Sequence, residues 1–210
     1  MTLRPLEPVY DLARQQGLVE IVNRFLRHFV TCLRARQGVA YLEFAVCLPF
    51  LATLLLGAVE ITRFVLITQK VEKTAMTLAD LVTQGTTATT SSLSNDILAA
   101  QQVMLPYTWS NNGYIIISSV TQTGAYSGTN LPVVNWQYSN GIPHQTSRIG
   151  IQGGAATLPA GFTLNDKDNI IVSEVFYLFQ PLINSQVVGN INLYRTAIFR
   201  PRLGALTTLN

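Results

Sequence analysis

The residue whose placement most needs a chemical explanation is Glu43. From Val39 to Val59 the side chains able to carry charge at neutral pH are Glu43 and, weakly, Cys47. A carboxylate in such a run costs a few kcal/mol unless it is paired, protonated or close to an aqueous interface. One reading places it at headgroup depth, four residues in, where it snorkels. The other gives it a cationic partner in lipid. Elsewhere the candidates for chemistry are few. His28 and His144 are the only histidines, far apart in the chain, and no zinc-ligand spacing exists. There is no Gly-x-Ser-x-Gly elbow, and Gly150-Ile151-Gln152-Gly153-Gly154 lacks the Lys-Ser/Thr of a phosphate-binding loop. Asp166 and Asp168 flank Lys167 just before a strand, which favours a turn over a metal site. Glu174 lies inside a β-branched and aromatic run, and its expected role is a structural ion pair with Arg195, with Arg200 and Arg202 as other partners on the neighbouring strand. No catalytic residue, metal ligand or cofactor is expected, and the chain reads as neither an enzyme nor a binder of a small-molecule substrate.

The elements that must position these residues begin with the apolar run itself. The chain is 48% hydrophobic and 12% charged over 210 residues, whereas an ordinary globular chain has about a quarter of its residues charged. Much of the difference lies in residues 39–59, long enough at about 1.5 Å per residue to cross a hydrocarbon core of about 30 Å. A secretory signal would have a shorter run and an Ala-x-Ala site after it, and neither is present. The helix is expected to continue. Ile61, Val65, Thr68, Val71, Ala75, Leu78 and Val82 recur at spacings of three and four, and Gly85 is the expected helix-terminating glycine. A rod from Val39 to Gln84 would be about 69 Å long, so its outer half needs cover from the chain's own domain or from neighbouring subunits. Pro49 lies inside the span, where a kink is expected.

Charge sets the orientation. Residues 1–38 hold Arg4, Arg14, Arg24, Arg27, Arg34 and Arg36 against Glu7, Asp11 and Glu20, while the rest has eight basic and eight acidic residues. Positive charge stays on the cytoplasmic side, so the arm is expected inside and the larger domain outside, in the periplasm of a Gram-negative cell. Val9 to Leu33 carries an amphipathic pattern suited to an anionic leaflet or to an assembly protein. The basic balance comes from this arm, so nucleic-acid binding is not supported. Cys32 lies in the arm and Cys47 in the span, so no disulfide framework is available to the outer domain.

The remaining segments read as 60–85 helical extension, 86–93 polar linker, and a 94–210 domain. A short helix capped by Ser94, Asn95 or Asp96 runs to about Leu105, ahead of Pro106. Strands are expected at Gly113–Gln122, Val133–Tyr138, Ile170–Phe179 and Asn190–Phe199, with Ser139–Gly161 a loop. The fold class is α+β: a long N-terminal transmembrane and amphipathic helix, then a small pilin-like domain with a short helix and about four antiparallel strands.

The segment Arg34-Ala35-Arg36-Gln37-Gly38 followed by Val39-Ala40-Tyr41-Leu42-Glu43-Phe44 resembles the class III prepilin signal. In that signal a prepilin peptidase cuts after a glycine and leaves a glutamate at position five. Here the cut would fall between Gly38 and Val39 and make Glu43 the fifth residue. The new α-ammonium group and the carboxylate are each costly in lipid and less so when they meet, within one helix at i,i+4 or between staggered subunits. The anchor, with Glu43-Phe44-Ala45 and Leu48-Pro49, and the segments Asn169–Leu182 and Leu193–Arg202 are similar to TadE-like proteins, pseudopilins of the tight-adherence (Tad/Flp) pilus system. The 38-residue leader is long for such a signal. What the resemblance implies is a minor pseudopilin at the bacterial inner membrane, with Glu43 and Phe44 pairing subunits in the membrane. Its partners would be a prepilin peptidase, other pilins and pseudopilins, and the inner-membrane assembly platform. The alternative is an unprocessed single-pass protein whose periplasmic domain binds another envelope component, in which the arm persists and Glu43 is dispensable.

Overall fold

The structure is a computed structural model that describes Arg24 and residues 38–125, 127, 130–182 and 189–210. Apart from Arg24, the amphipathic stretch of the arm, with His28 and Cys32, lies outside the described residues. The chain divides into two units, Met1–Ala58 and Val59–Asn210. Helix α1 (Gly38–Thr83) contributes to both; α2 (Thr90–Gln101) runs into a 3-10 turn at Gln102–Met104. Strands β1 (Gly113–Thr121), β2 (Val133–Gly141), β3 (Asn169–Phe179) and β4 (Ile191–Phe199) form one sheet of order β2-β1-β3-β4. Every pairing is antiparallel. The expected α+β class, with one long helix, one short helix and four antiparallel strands, is the observed one.

In the second unit α1 buries Ile67, Val71, Ala75, Leu78, Ala79 and Val82. The expected stripe holds from Val71 onward, but Ile61 and Val65 are exposed. The helical period explains the difference. Counting back from Val71 puts Ile67 and Phe64 within about 40° of it, and Ile61 and Val65 about 80° and 120° away. The helix ends before Gly85 with bonds from Gln84 N to Leu81 O and from Gly85 N to Val82 O. Gly85 is not in the left-handed conformation expected of a C-terminal glycine. The short helix starts earlier than its Asn-Asp signal suggests. Thr89 is the N-cap, its Oγ1 accepting from Ser92 N while Ser92 Oγ accepts from Thr89 N, a reciprocal capping box. The Thr/Ser run read as linker therefore supplies the first turn of α2.

Both faces of the sheet are covered. On one, Ile115, Ile117, Ile171, Val175 and Phe179 pack with the buried stripe of α1 and with Leu93, Ile97 and Met104. On the other, Val120, Val134, Ile170 and Val172 meet Ile149, Ala156 and Leu164 from the long loop after β2. A sheet covered twice buries nearly every residue of its central strands, as β1 and β3 do.

The expected Glu174–Arg195 ion pair does not form. The register places Glu174 opposite Thr196 and Arg195 opposite Val175, so the two side chains leave opposite faces of the sheet. Arg195 Nη1 donates to Tyr194 O instead. Glu174 is fully buried and accepts from Ser147 Oγ (2.5 Å), Arg148 N (2.8 Å) and Tyr194 OH (3.0 Å). The Arg148 guanidinium lies 4.1 Å from the centre of the Tyr194 ring. The carboxylate thus ties the loop after β2 to β3 and β4. Burial, the Glu174 charge and the hydrogen bond to it push the Tyr194 hydroxyl up to about 12.

Candidate membrane anchor

Residues 38–58 are helical throughout, and every side chain described from Val39 to Ala58 is exposed. Tyr41, Phe44, Val46, Phe50, Leu54 and Leu55 are among them. Soluble proteins rarely expose a contiguous apolar surface of that extent. The composition explains why the segment is nonetheless a helix: Leu and Ala dominate, and in a medium without water the backbone satisfies its polar groups internally. The helix is long and apolar enough to cross a membrane, and one such helix near the N-terminus fits a membrane-anchored protein.

Gly38 and Val39 are its first two residues. Glu43 follows Val39 by four positions, so the two lie one turn apart on the same side. Among the described residues nothing pairs with the Glu43 carboxylate, which stands exposed between Leu42 and Phe44. Pro49 lies within the helical run, and Thr53 Oγ1 donates to Pro49 O at 2.7 Å. That side-chain bond lies in the turn after the proline; the N–H that Pro49 lacks would have served Ala45 O, a loss that membrane helices tolerate. The first charged residue beyond the run is Glu60, which pairs with Arg63 at 3.4 Å and accepts from Leu182 N at 3.1 Å.

The other sequence candidates have structural roles. Asp166 Oδ1 accepts from Gly124 N at 2.6 Å, and Asp168 Oδ2 accepts from Asn165 N and from Arg200 Nη2. Lys167 between them takes a positive φ of 66°. This is the turn that the Asp-Lys-Asp spacing suggests. His144 Nδ1 lies 3.1 Å from Tyr114 OH. The glycine-rich 150–154 segment lies along β2, exchanging Gly153 N to Val134 O and Val134 N to Gly154 O. Among the described residues no group of three or more His, Cys, Asp and Glu side chains is placed to hold a metal ion. Sequence reasoning missed Ser147 and Arg148 as the partners of Glu174, and Leu182 as that of Glu60. The residues of these pairs lie 26 to 122 positions apart, beyond the reach of any local spacing rule.

The model of the family described as TadE-like protein matches residues 38–80, the whole apolar run and most of its helical extension. The match bears out the resemblance carried by Gly38, Glu43-Phe44-Ala45 and Leu48-Pro49. The chain matches no curated protein and no solved structure.

Proposed function

We propose that this chain is a minor pseudopilin, a structural and assembly component of a Tad-type pilus, anchored in the bacterial inner membrane. The observation that carries the reading is one carboxylate, Glu43, in an otherwise uncharged and fully exposed helical run that falls inside the TadE-like match. The arginine-rich arm stays in the cytoplasm and the sheet domain lies in the periplasm, following the charge asymmetry across the span. A prepilin peptidase cuts between Gly38 and Val39. The α-ammonium group so formed and the Glu43 carboxylate neutralise one another, within a helix or between neighbouring pilins and pseudopilins on the assembly platform. A neighbour in the wrong register leaves a charge uncompensated in lipid, and register follows from that penalty. Phe44 lies beside this pair, and a bend at Pro49 adjusts the direction of the outer part of the span.

Intact mass of the membrane-extracted protein tests the cut. Cells with the matching peptidase are expected to yield a chain starting at Val39, and cells without it the full-length chain. Full-length protein in both would refute processing. Glu43→Ala is expected to insert normally and to reduce piliation. Unchanged pili would refute the pairing role and favour the unprocessed single-pass reading.

A further inference from the structure

In the second unit, α1 runs against β3 so that Phe64 meets Phe179, their ring centres 5.4 Å apart. At the other end of the helix Arg202 N bonds Thr83 O, just beyond β4. The sheet therefore has one end beside the first turns of α1 after Val59. That end is poor in charge: among the described residues Glu60 and Arg63 pair with one another, and Arg63 lies over the Phe179 ring at 5.9 Å. It is also apolar at its rim. Leu182 is 68% exposed and Leu105 60%. Beside Leu182, and beside the Pro106 that follows Leu105, opens a cleft of about 340 Å³ lined by Arg63, Pro106, Tyr107, Tyr177, Gln180 and Leu182. The opposite end of the sheet carries Asp166, Lys167, Asp168 and Arg200.

Depth decides what meets the apolar end. Glu60 directly follows Val59, and its carboxylate accepts the Leu182 N–H at 3.1 Å. At a rise of about 1.5 Å per residue, Glu60 to Arg63 lie within about 6 Å of the end of the apolar run. A bilayer's headgroup layer is about 5–8 Å thick on each side. We propose that this end of the domain is a membrane-contact surface, in which Leu182 and Leu105 enter the interface of the bilayer that the same helix crosses. Tyr107, half-buried at the cleft, sits at headgroup level, where amphipathic rings concentrate, and the Arg63 guanidinium faces lipid phosphate across the open side of the cleft. The inference rests on residues 39–59 spanning the membrane, and the experiment separates the two.

Full-length protein lacking its native cysteines, by Cys32→Ala and Cys47→Ala, is labelled with an environment-sensitive fluorophore at Leu182→Cys, Leu105→Cys, Leu54→Cys or Leu203→Cys. Each variant is reconstituted at high lipid-to-protein ratio into vesicles of mixed phosphatidylglycerol and phosphatidylethanolamine. Brominated lipid is expected to quench the labels at 54, 105 and 182 and to shift their emission to the blue. The label at Leu203, 64% exposed and beyond β4, is expected to keep an aqueous spectrum. Quenching at 54 with aqueous spectra at both 105 and 182 would overturn the membrane-contact surface while leaving the anchor intact. An aqueous spectrum at 54 would overturn the anchor and the surface with it. Equal quenching at all four positions would also overturn the surface, because contact would then not be confined to one end.

Discussion

Replacing Glu174 by leucine tests the tertiary role of the buried carboxylate. The variant keeps a similar volume in the sheet and removes both oxygens. Arg148 N–H and Tyr194 O–H lose the acceptor they share at Oε1, and the Ser147 hydroxyl loses Oε2. Each donor left dry costs about 1–3 kcal/mol. Relief of carboxylate desolvation and the added apolar burial offset part of the sum, so the net loss is about 3 kcal/mol. Glu174→Gln keeps one oxygen for Arg148 N and Tyr194 OH and loses mainly the charge assistance, about 1 kcal/mol. Arg195→Ala removes a side chain that does not touch Glu174 and is expected to cost under about 1 kcal/mol. Urea unfolding of the full chain in detergent micelles, followed by tryptophan fluorescence, reads these differences. With a slope of about 2 kcal/mol per molar, the leucine variant's midpoint falls by about 1.5 M. Equal midpoints for Glu174→Leu and wild type would refute the assignment, and a loss in Arg195→Ala as large as that in Glu174→Leu would restore the ion pair expected from sequence.

Other outcomes follow from the same packing. A Cβ on Gly113 would overlap atoms of the Trp109 ring, so Gly113→Ala should displace that indole, shift its fluorescence and cost about 1–3 kcal/mol. Leu78→Ala, at a fully buried position between α1 and the sheet, should cost about 2–5 kcal/mol in the same unfolding assay. The Tyr194 hydroxyl is raised from 10.0 to about 12 in the folded protein, so the folded state holds this proton more tightly than the unfolded state. Its contribution is complete below pH 10 and is lost as pH rises through about 12. Thermal unfolding should therefore show a fall in stability over that window, and Tyr194→Phe should flatten it. Tyr177, also raised by burial, should leave a residual slope.

The long helix, the four strands and the class of the fold were legible in the residues because each rests on local periodicity. Three- and four-residue spacing from Val71 to Val82 marked a face that does become buried, and the β-branched runs at 113–121 and 169–179 became the two central strands. The apolar span was also legible, since a run of 21 residues with one carboxylate and no basic side chain needs no tertiary information to stand out. Boundaries were less so. The Thr89 capping box lies in a run whose composition alone reads as linker, and only the reciprocal bonds with Ser92 distinguish the two. What the tertiary structure alone decided was which distant groups meet. Strand register alternates side chains between two faces, so one residue of offset separated Glu174 from Arg195 and gave it Tyr194 from the same strand. The loop after β2 had no periodicity to announce that it covers the second face and brings Ser147 and Arg148 to the carboxylate. Glu60 likewise found Leu182 across 122 positions, a contact created by the docking of α1 on the sheet and by no pattern within either segment.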